Sequence, residues 1–282
     1  MLEQYKLPDT TNLDKEQLDG FEYNDKNYWP TFQEDWQKFL EIVNSNKPCV
    51  IMRIYDGELL FLQRKRVGNI PKRHCNQNLR RKDLEPFIKG VNDVDYLCIQ
   101  LNDRFIKEYK KMFTREINFP MEFCYGIVAN KMIFKQYPDS IALIGGSEKM
   151  KIIKDLMEYK EYRDYLGVDK FTDYISVPER FASNEPEKLL DNLGLQIEKS
   201  SAKVFLYGIG ISKMAIAPYF KKYKDATFID IGCGMSALAG FVSIDRPYLG
   251  SWINYRIKDY NYGSVDRMDA DTRNIKYLDK IE

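Results

Sequence analysis

The 282-residue sequence contains a single histidine, His74, and its five cysteines include no CxxC pair. One histidine excludes a metal site built from several histidines, and the context of His74, residues 71–75, shows no nucleophile elbow of a Ser-His-Asp or Cys-His enzyme. The cysteines are odd in number and widely spaced. We interpret them as reduced thiols, and we expect the protein to be cytoplasmic.

The sequence also lacks an excess of charge of one sign and lacks long apolar runs. It has 43 Lys+Arg and 42 Asp+Glu, which leaves a formal net charge of +1. Proteins that bind nucleic acid usually carry a surplus or a strong cluster of basic residues, so we expect no nucleic-acid partner. No apolar run approaches the ~18 residues of a membrane span, and the amino-terminal segment lacks the apolar region of a signal peptide.

Apolar runs that suit buried strands alternate with helical segments along the chain. The amphipathic segment after Thr31 predicts a helix that begins with a capping box between Thr31 and Glu34. The predicted strands cover 49–54, 95–101, 140–146, 203–207 and 226–230. This alternation predicts an α/β fold, a Rossmann-like and mainly parallel sheet with helices on both faces.

The predicted organisation is an amino-terminal arm followed by a single domain that ends in an aromatic-rich tail. Residues 1–30 are polar and turn-rich, which favours a surface arm. Residues 31–282 are expected to form a single α/β domain, with an aromatic-rich tail from about residue 242. The tail aromatics are candidates for a sugar-binding cleft, a core or a dimer seam, so a homodimer is left open. They are Tyr248, Trp252, Tyr255, Tyr260 and Tyr262.

The first candidate motif is Arg53-Ile-Tyr-Asp56-Gly-Glu58, directly after a predicted strand. In extended chain the two carboxylates project to one side and can share a hard divalent cation. Gly57 leaves room for a phosphate, and Arg53 offers that phosphate a permanently charged fork. The alternative interpretation is that both carboxylates stabilise the start of a helix.

The second candidate motif is Leu206-Tyr-Gly208-Ile-Gly210-Ile-Ser212-Lys213, between a strand and a helix. Its backbone N–H groups favour a phosphate, and Ser212 and Lys213 add donors. Lys213 stands where a dinucleotide fingerprint requires glycine, so an ordinary β-α turn is the alternative.

Two further segments follow strands. Phe228-Ile-Asp230-Ile-Gly232-Cys-Gly234 looks like the first motif of S-adenosylmethionine-dependent methyltransferases, but too few residues follow it for the remaining strand-helix units of that fold. The segment 177–190 contains Arg180 and Ser183, which we consider as cleft residues, although the segment also reads as a helix start.

The order of these motifs resembles the GT-D class of glycosyltransferases, first grouped as a domain of unknown function with a D-x-E metal motif. The resemblance spans about residues 48 to 241. It implies a UDP-sugar donor and Mn²⁺ (or Mg²⁺), with Asp56 and Glu58 as metal ligands near the diphosphate. Arg53 and Asp230 would join these two as catalytic residues. The expected donor-binding residues are Gly57, Gly208, Gly210, Ser212, Lys213, Arg180 and Ser183.

The function expected from this resemblance is transfer of a sugar from a UDP-sugar to a hydroxyl of a glycan acceptor. The sugar would be a hexose such as glucose or galactose, or a pentose such as xylose. An inverting reaction needs a base for the acceptor proton; Glu58, Asp103, Asp230 and Asp245 are candidates, and Asp230 is preferred. The alternatives are an S-adenosylmethionine-dependent methyltransferase and a nucleotide-binding module without turnover.

Overall fold

The computed structural model describes residues 31–63, 81–100, 103–240, 255–262 and 276–277. The predictions for the arm 1–30, and for His74, Tyr248, Trp252 and Asp245, lie outside the described residues.

Seven strands form one sheet in which every neighbouring pair is parallel. They are β1 (Cys49–Ile54), β2 (Tyr96–Ile99), β3 (Phe119–Pro120), β4 (Ile141–Gly146), β5 (Asp173–Val177), β6 (Val204–Gly208) and β7 (Thr227–Asp230). The order across the sheet is β3-β2-β1-β7-β6-β4-β5. The predicted α/β fold with a parallel sheet is therefore confirmed. A separate two-stranded parallel sheet pairs β8 (Tyr255–Arg256) with β9 (Lys276–Tyr277).

The two edge strands were not predicted. β3 has only two residues and ends in proline, which lacks the N–H that a central strand needs. β5 alternates between buried and more exposed positions. Neither therefore shows the continuous apolar run that identifies a strand buried on both faces.

Helices cover both faces of the sheet, as predicted. One face packs on α1 (Phe32–Asn44), α5 (Glu122–Ala129), α6 (Met132–Gln136), α7 (Ser147–Leu156), α8 (Lys160–Leu166) and α11 (Gly234–Leu238). The other packs on α2 (Asp56–Leu62), α3 (Glu85–Asp93), α4 (Asp103–Met112), α9 (Pro186–Lys199) and α10 (Lys213–Ile216). Short 3₁₀ segments cover Arg81–Leu84, Gly210–Ser212 and Ala217–Lys222. Among the described residues, no helix has the length and apolar character to cross a membrane.

The predicted capping box at α1 is wrong. The Thr31 side chain makes no capping hydrogen bond; its hydroxyl donates to Asp35 Oδ2 at 2.6 Å. Lys38 donates to the other oxygen of Asp35 at 2.7 Å. The Thr31 hydroxyl therefore donates to Asp35, one turn into the helix, instead of accepting a hydrogen bond from a backbone amide as the capping box requires.

Two tyrosines of the aromatic tail pack on the core: Tyr262 is part of it, and the half-buried Tyr260 packs against it. Tyr262 is 4% exposed, and its hydroxyl accepts a hydrogen bond from the Ile257 backbone at 2.9 Å. The Tyr260 hydroxyl donates to Asp155 Oδ2 at 3.0 Å. For these two tyrosines the structure supports the core interpretation over a sugar-binding one.

β1 and β7 are neighbours at the middle of the sheet. Because all strands run the same way, the carboxyl ends of β1, β7 and β6 meet at one edge, where ligands of open α/β sheets bind. The first three candidate motifs converge on this edge.

Candidate functional site

A buried charge network joins four side chains at the carboxyl edge of the sheet. Asp230, the last residue of β7, lies 3.4 Å from Arg53 of β1 and 2.7 Å from Lys213 of α10. Lys213 Nζ also lies 2.7 Å from Glu58 Oε1 of α2. The four residues are between 0% and 7% exposed. We call them the charge network; its two cations and two anions balance.

Asp230 also extends the pairing of the two central strands. The β1–β7 register ends at the pair Ile51 and Ile229. Beyond it, Asp230 Oδ2 accepts a hydrogen bond from the Arg53 backbone at 3.1 Å, and Asp230 Oδ1 accepts one from the Gly232 backbone at 2.9 Å. The carboxylate therefore replaces a strand carbonyl and holds the chain that leaves β7.

Arg53 is enclosed by an aromatic ring and a glycine. Its guanidinium carbon lies 4.8 Å from the centre of the Tyr125 ring, within the range of a cation-π contact. A Cβ on Gly232 would lie 1.8 Å from Arg53 Nη2, and Gly232 has φ +41°. A Cβ on Gly208 would lie 2.8 Å from the Gly232 carbonyl oxygen. These glycines are needed for close packing around Arg53, which is a structural reason for both motifs.

The expectation of extended chain at Asp56-Gly-Glu58 is wrong, because all three residues lie in the first turn of α2. Successive helical positions rotate by about 100°, so side chains two positions apart point to different sides. Asp56 is exposed and its Oδ1 accepts a hydrogen bond from the Gly57 backbone at 2.6 Å. Glu58 is buried, and its Oε2 accepts one from the Tyr55 backbone at 3.0 Å.

The charges of the network stabilise one another against burial. Burial alone would raise the pKa of Asp230, but Arg53 and Lys213 outweigh it and the pKa is lowered. Burial acts the same way on Glu58, where Lys213 and Arg53 outweigh it and the pKa is again lowered. Burial would lower the pKa of Arg53, but Asp230, Tyr125, Cys233 and Glu58 together outweigh burial, and the pKa is raised. Both carboxylates are therefore ionised at neutral pH.

Asp56 and Glu58 do not fit as a pair of metal ligands. Glu58 offers one oxygen to an ammonium group and the other to a backbone amide, so both are engaged. Within the described residues, no group of three or more His, Cys, Asp or Glu side chains could hold a metal ion. Of the two carboxylates, only that of Asp56 is exposed to solvent. Mg²⁺ is often bound by one protein carboxylate together with the phosphates of a substrate, so Asp56 by itself fits such a cation.

The glycine turn after β6 directs its polar side chains inward. Gly210 has φ +60° and opens a 3₁₀ segment, and the helix that follows has only four residues. Ser212 is fully buried, and its hydroxyl donates to the Ile209 carbonyl at 2.6 Å. Lys213 is occupied by the charge network. The predicted donation of Ser212 and Lys213 to a phosphate is therefore not supported, whereas Gly208 and Gly210 remain partly exposed.

Arg180 and Ser183 lie on a separate loop, after the edge strand β5. Three strand spacings separate β5 from β7, which amounts to about 14 Å. Arg180 is exposed, and Ser183 is 2% exposed with an Oγ that has no hydrogen-bond partner among the described residues. The structure thus places these two residues on the same edge of the sheet as the charge network but away from it.

Glu179 fixes this loop to the end of β4. Its Oε1 accepts a hydrogen bond from the Glu148 backbone at 2.9 Å, in the first turn of α7. A Cβ on Gly146 would lie 2.3 Å from the same Glu179 oxygen. Beside it, Phe181 has φ +61° and is 37% exposed. Such a backbone conformation is an outlier for a bulky side chain.

Sequence reasoning missed three residues at this edge. Phe181 carried no signal, because nothing in the sequence reveals a positive φ. Tyr125 and Cys233 were also missed; the Tyr125 hydroxyl lies 3.4 Å from Cys233 Sγ. Tyr125 sits in the apolar helix EFCYGIVA, which predicts core packing and gives no hint that the ring contacts a guanidinium.

Comparisons with known proteins give two matches of fold. No protein-family model and no curated protein matches the chain. A structure described as a new glycosyltransferase (DUF1792) from Streptococcus sanguinis has 11% identity and a TM-score of 0.47, and the match covers 73% of this chain and 81% of that one. A selenomethionine-substituted structure of domain of unknown function 1792 has 13% identity and a TM-score of 0.45, with 72% and 77% covered. The chain is thus similar in fold to DUF1792 structures, and at these identities the similarity concerns the fold alone.

Proposed function

We propose that the chain is a glycosyltransferase that moves a sugar from a UDP-sugar to a hydroxyl of a glycan acceptor, with a divalent cation, Mn²⁺ or Mg²⁺. The observation that carries the proposal is the convergence of three separate motifs, around Arg53, Gly208 and Asp230, on the carboxyl edge of a parallel sheet. This edge is where open α/β sheets bind nucleotides. The same three motifs carry the GT-D resemblance.

The exposed groups at this edge suit the parts of the donor. Asp56 is the carboxylate that a cation on the diphosphate would meet, and its position in the first turn of α2 leaves it in solvent. The partly exposed backbone of Gly210 can approach a phosphate without side-chain interference, and the partly exposed Gly208 lies beside it although its side-chain position is filled by the Gly232 carbonyl. The loop with Phe181 and Arg180 offers an aromatic face and a cation about 14 Å away, for a sugar ring or base at the far end.

The base of an inverting reaction is not Asp230 in this proposal. A fully buried carboxylate beside two cations, with a lowered pKa, is a weak proton acceptor. Glu58 has the same disadvantage because Lys213 neutralises it. Asp103 and Asp245 stay candidates, since neither side chain is among those described.

The direct test is release of UDP from UDP-glucose, UDP-galactose and UDP-xylose with Mn²⁺ and glycan acceptors. We expect turnover with one donor, loss of turnover in excess EDTA, and a decrease of at least tenfold in Asp56→Asn. Glu85→Gln, on α3, is the matched control for removal of a carboxylate from the first turn of a helix. No turnover with any donor, or equal turnover in EDTA, would contradict the proposal or its metal requirement respectively.

Thermal-shift measurements separate the alternatives. A ligand at a hundred times its dissociation constant adds about 2.7 kcal/mol to the free energy of unfolding. Stabilisation by S-adenosylmethionine and not by UDP with Mn²⁺ would favour a methyltransferase. The space beside Gly232 in that motif, however, is occupied by the Arg53 side chain. Stabilisation by UDP without turnover would favour a binding module. Cytoplasmic location and homodimer formation stay predictions.

A further inference from the structure

The two carboxylates of the D-x-E motif have opposite surroundings. Asp56 is in solvent, whereas Glu58 is 7% exposed and 2.7 Å from Lys213. Lys213 is itself 1% exposed and reaches Asp230 at the same distance of 2.7 Å. The motif is therefore split between a solvent-facing group and a group that belongs to the interior.

We propose that Glu58 is a positioning residue of the charge network and not a metal ligand, so that Asp56 is the only cation-binding residue of the motif. Glu58 holds Lys213, Lys213 holds Asp230, and Asp230 holds both the side chain and the backbone of Arg53. The inference deepens the proposed function, because it assigns different roles to two residues that the resemblance treats alike.

Movement of Glu58 to a metal would leave unfavourable groups behind. The Tyr55 N–H at the start of α2 would lose its acceptor, and Lys213 would keep one carboxylate instead of two. A metal ion placed on Glu58 in its present position would lie close to the Lys213 ammonium, which repels it. Removing one partner of a buried ion pair is strongly destabilising, so the network resists this rearrangement.

The first test measures thermal unfolding of metal-free protein. Residues that bind a ligand commonly repel their neighbours when the ligand is absent, so neutralising a metal-ligand carboxylate raises the melting temperature or leaves it unchanged. We expect Glu58→Gln to lower the melting temperature, because Gln still accepts from Tyr55 but cannot balance Lys213. In a Lys213→Met background we expect the sign to reverse, since Glu58→Gln then removes a stranded buried charge. A rise or no change in the wild-type background, or additive effects in the double variant, overturns the proposal.

The second test measures Mn²⁺ binding with UDP present, followed by the electron paramagnetic resonance signal of free Mn²⁺. We expect Asp56→Asn to weaken Mn²⁺ binding at least tenfold and Glu58→Gln to stay within about threefold of wild type. A tenfold weakening in Glu58→Gln overturns the proposal. If the wild type binds neither Mn²⁺ nor UDP, the proposed function fails, and the melting-temperature cycle still decides the role of Glu58.

Discussion

Substitution of Gly232 by alanine tests whether the glycine exists to admit Arg53. The new Cβ would lie 1.8 Å from Arg53 Nη2, so the guanidinium must leave its place between Asp230 and Tyr125. Breaking a buried ion pair costs about 3–5 kcal/mol, and an alanine at φ +41° adds about 1–2 kcal/mol of backbone strain. We expect a loss of about 4–7 kcal/mol in the free energy of unfolding, measured by urea denaturation. With about 2.1 cal/mol/K of unfolding entropy per residue, the melting temperature should fall by about 7–12 °C.

Gly167 supplies the matched control. It has φ +76°, and a Cβ there would meet no atom within 4 Å, so Gly167→Ala reports backbone strain alone. We expect it to cost about 1–2 kcal/mol. A second control is Gly232→Ala in an Arg53→Met background, where the clash is relieved and little more than the strain should remain. If Gly232→Ala costs no more than Gly167→Ala, the assigned reason for this glycine is wrong.

Three further predictions concern other parts of the structure. Gly90→Ala should destabilise the protein by about 2 kcal/mol or more, the cost of overpacking, because the new Cβ would lie 1.7 Å from the Met214 carbonyl oxygen. This oxygen belongs to the backbone and cannot move aside easily. A urea midpoint equal to that of wild type would contradict the prediction. Glu58 and Asp230 have pKa values lowered from the ordinary 4.5 and 3.8, so the stability that they contribute should be complete above those ordinary values and be lost as the pH falls below them. Urea titrations between pH 7 and pH 3 measure this loss. A urea midpoint that stays the same over this pH range would refute the prediction. Among the four described cysteines, the half-buried Cys233 should react first with iodoacetamide, as read by peptide mass spectrometry, because the other three are buried.

The sequence was sufficient for the central strands because burial on both faces leaves an uninterrupted apolar run. All six residues of β1 are buried, and the run Cys49–Ile54 was predicted with the observed bounds. The edge strands β3 and β5 are paired on one side only and lack that signal. The order of the strands in the sheet could not be predicted. It depends on which strands pair with one another although they lie far apart in the sequence, and the apolar pattern of each strand does not specify its neighbours.

The sequence predicted which residues belong to the site better than it predicted what each of them does. Arg53, Glu58, Lys213 and Asp230 were each chosen, and the structure brings them together. The sequence could not show that they neutralise one another, because their partners lie up to 177 residues apart along the chain. Side-chain direction decided the rest: a helix instead of extended chain at Asp56 separates two carboxylates that spacing alone would have paired.

The adjacency of β1 and β7 has a consequence for how the chain reaches this fold. These strands are early and late in the chain, yet they are neighbours at the centre of the sheet. During synthesis, the second edge of β1 can be paired only after β7 has left the ribosome. Until then, a strand with apolar residues on both of its faces has an unpaired edge. Closure of such a long loop is slow. The centre of the sheet is therefore completed late, and a growing chain leaves one edge of the apolar strand β1 unpaired for most of its synthesis.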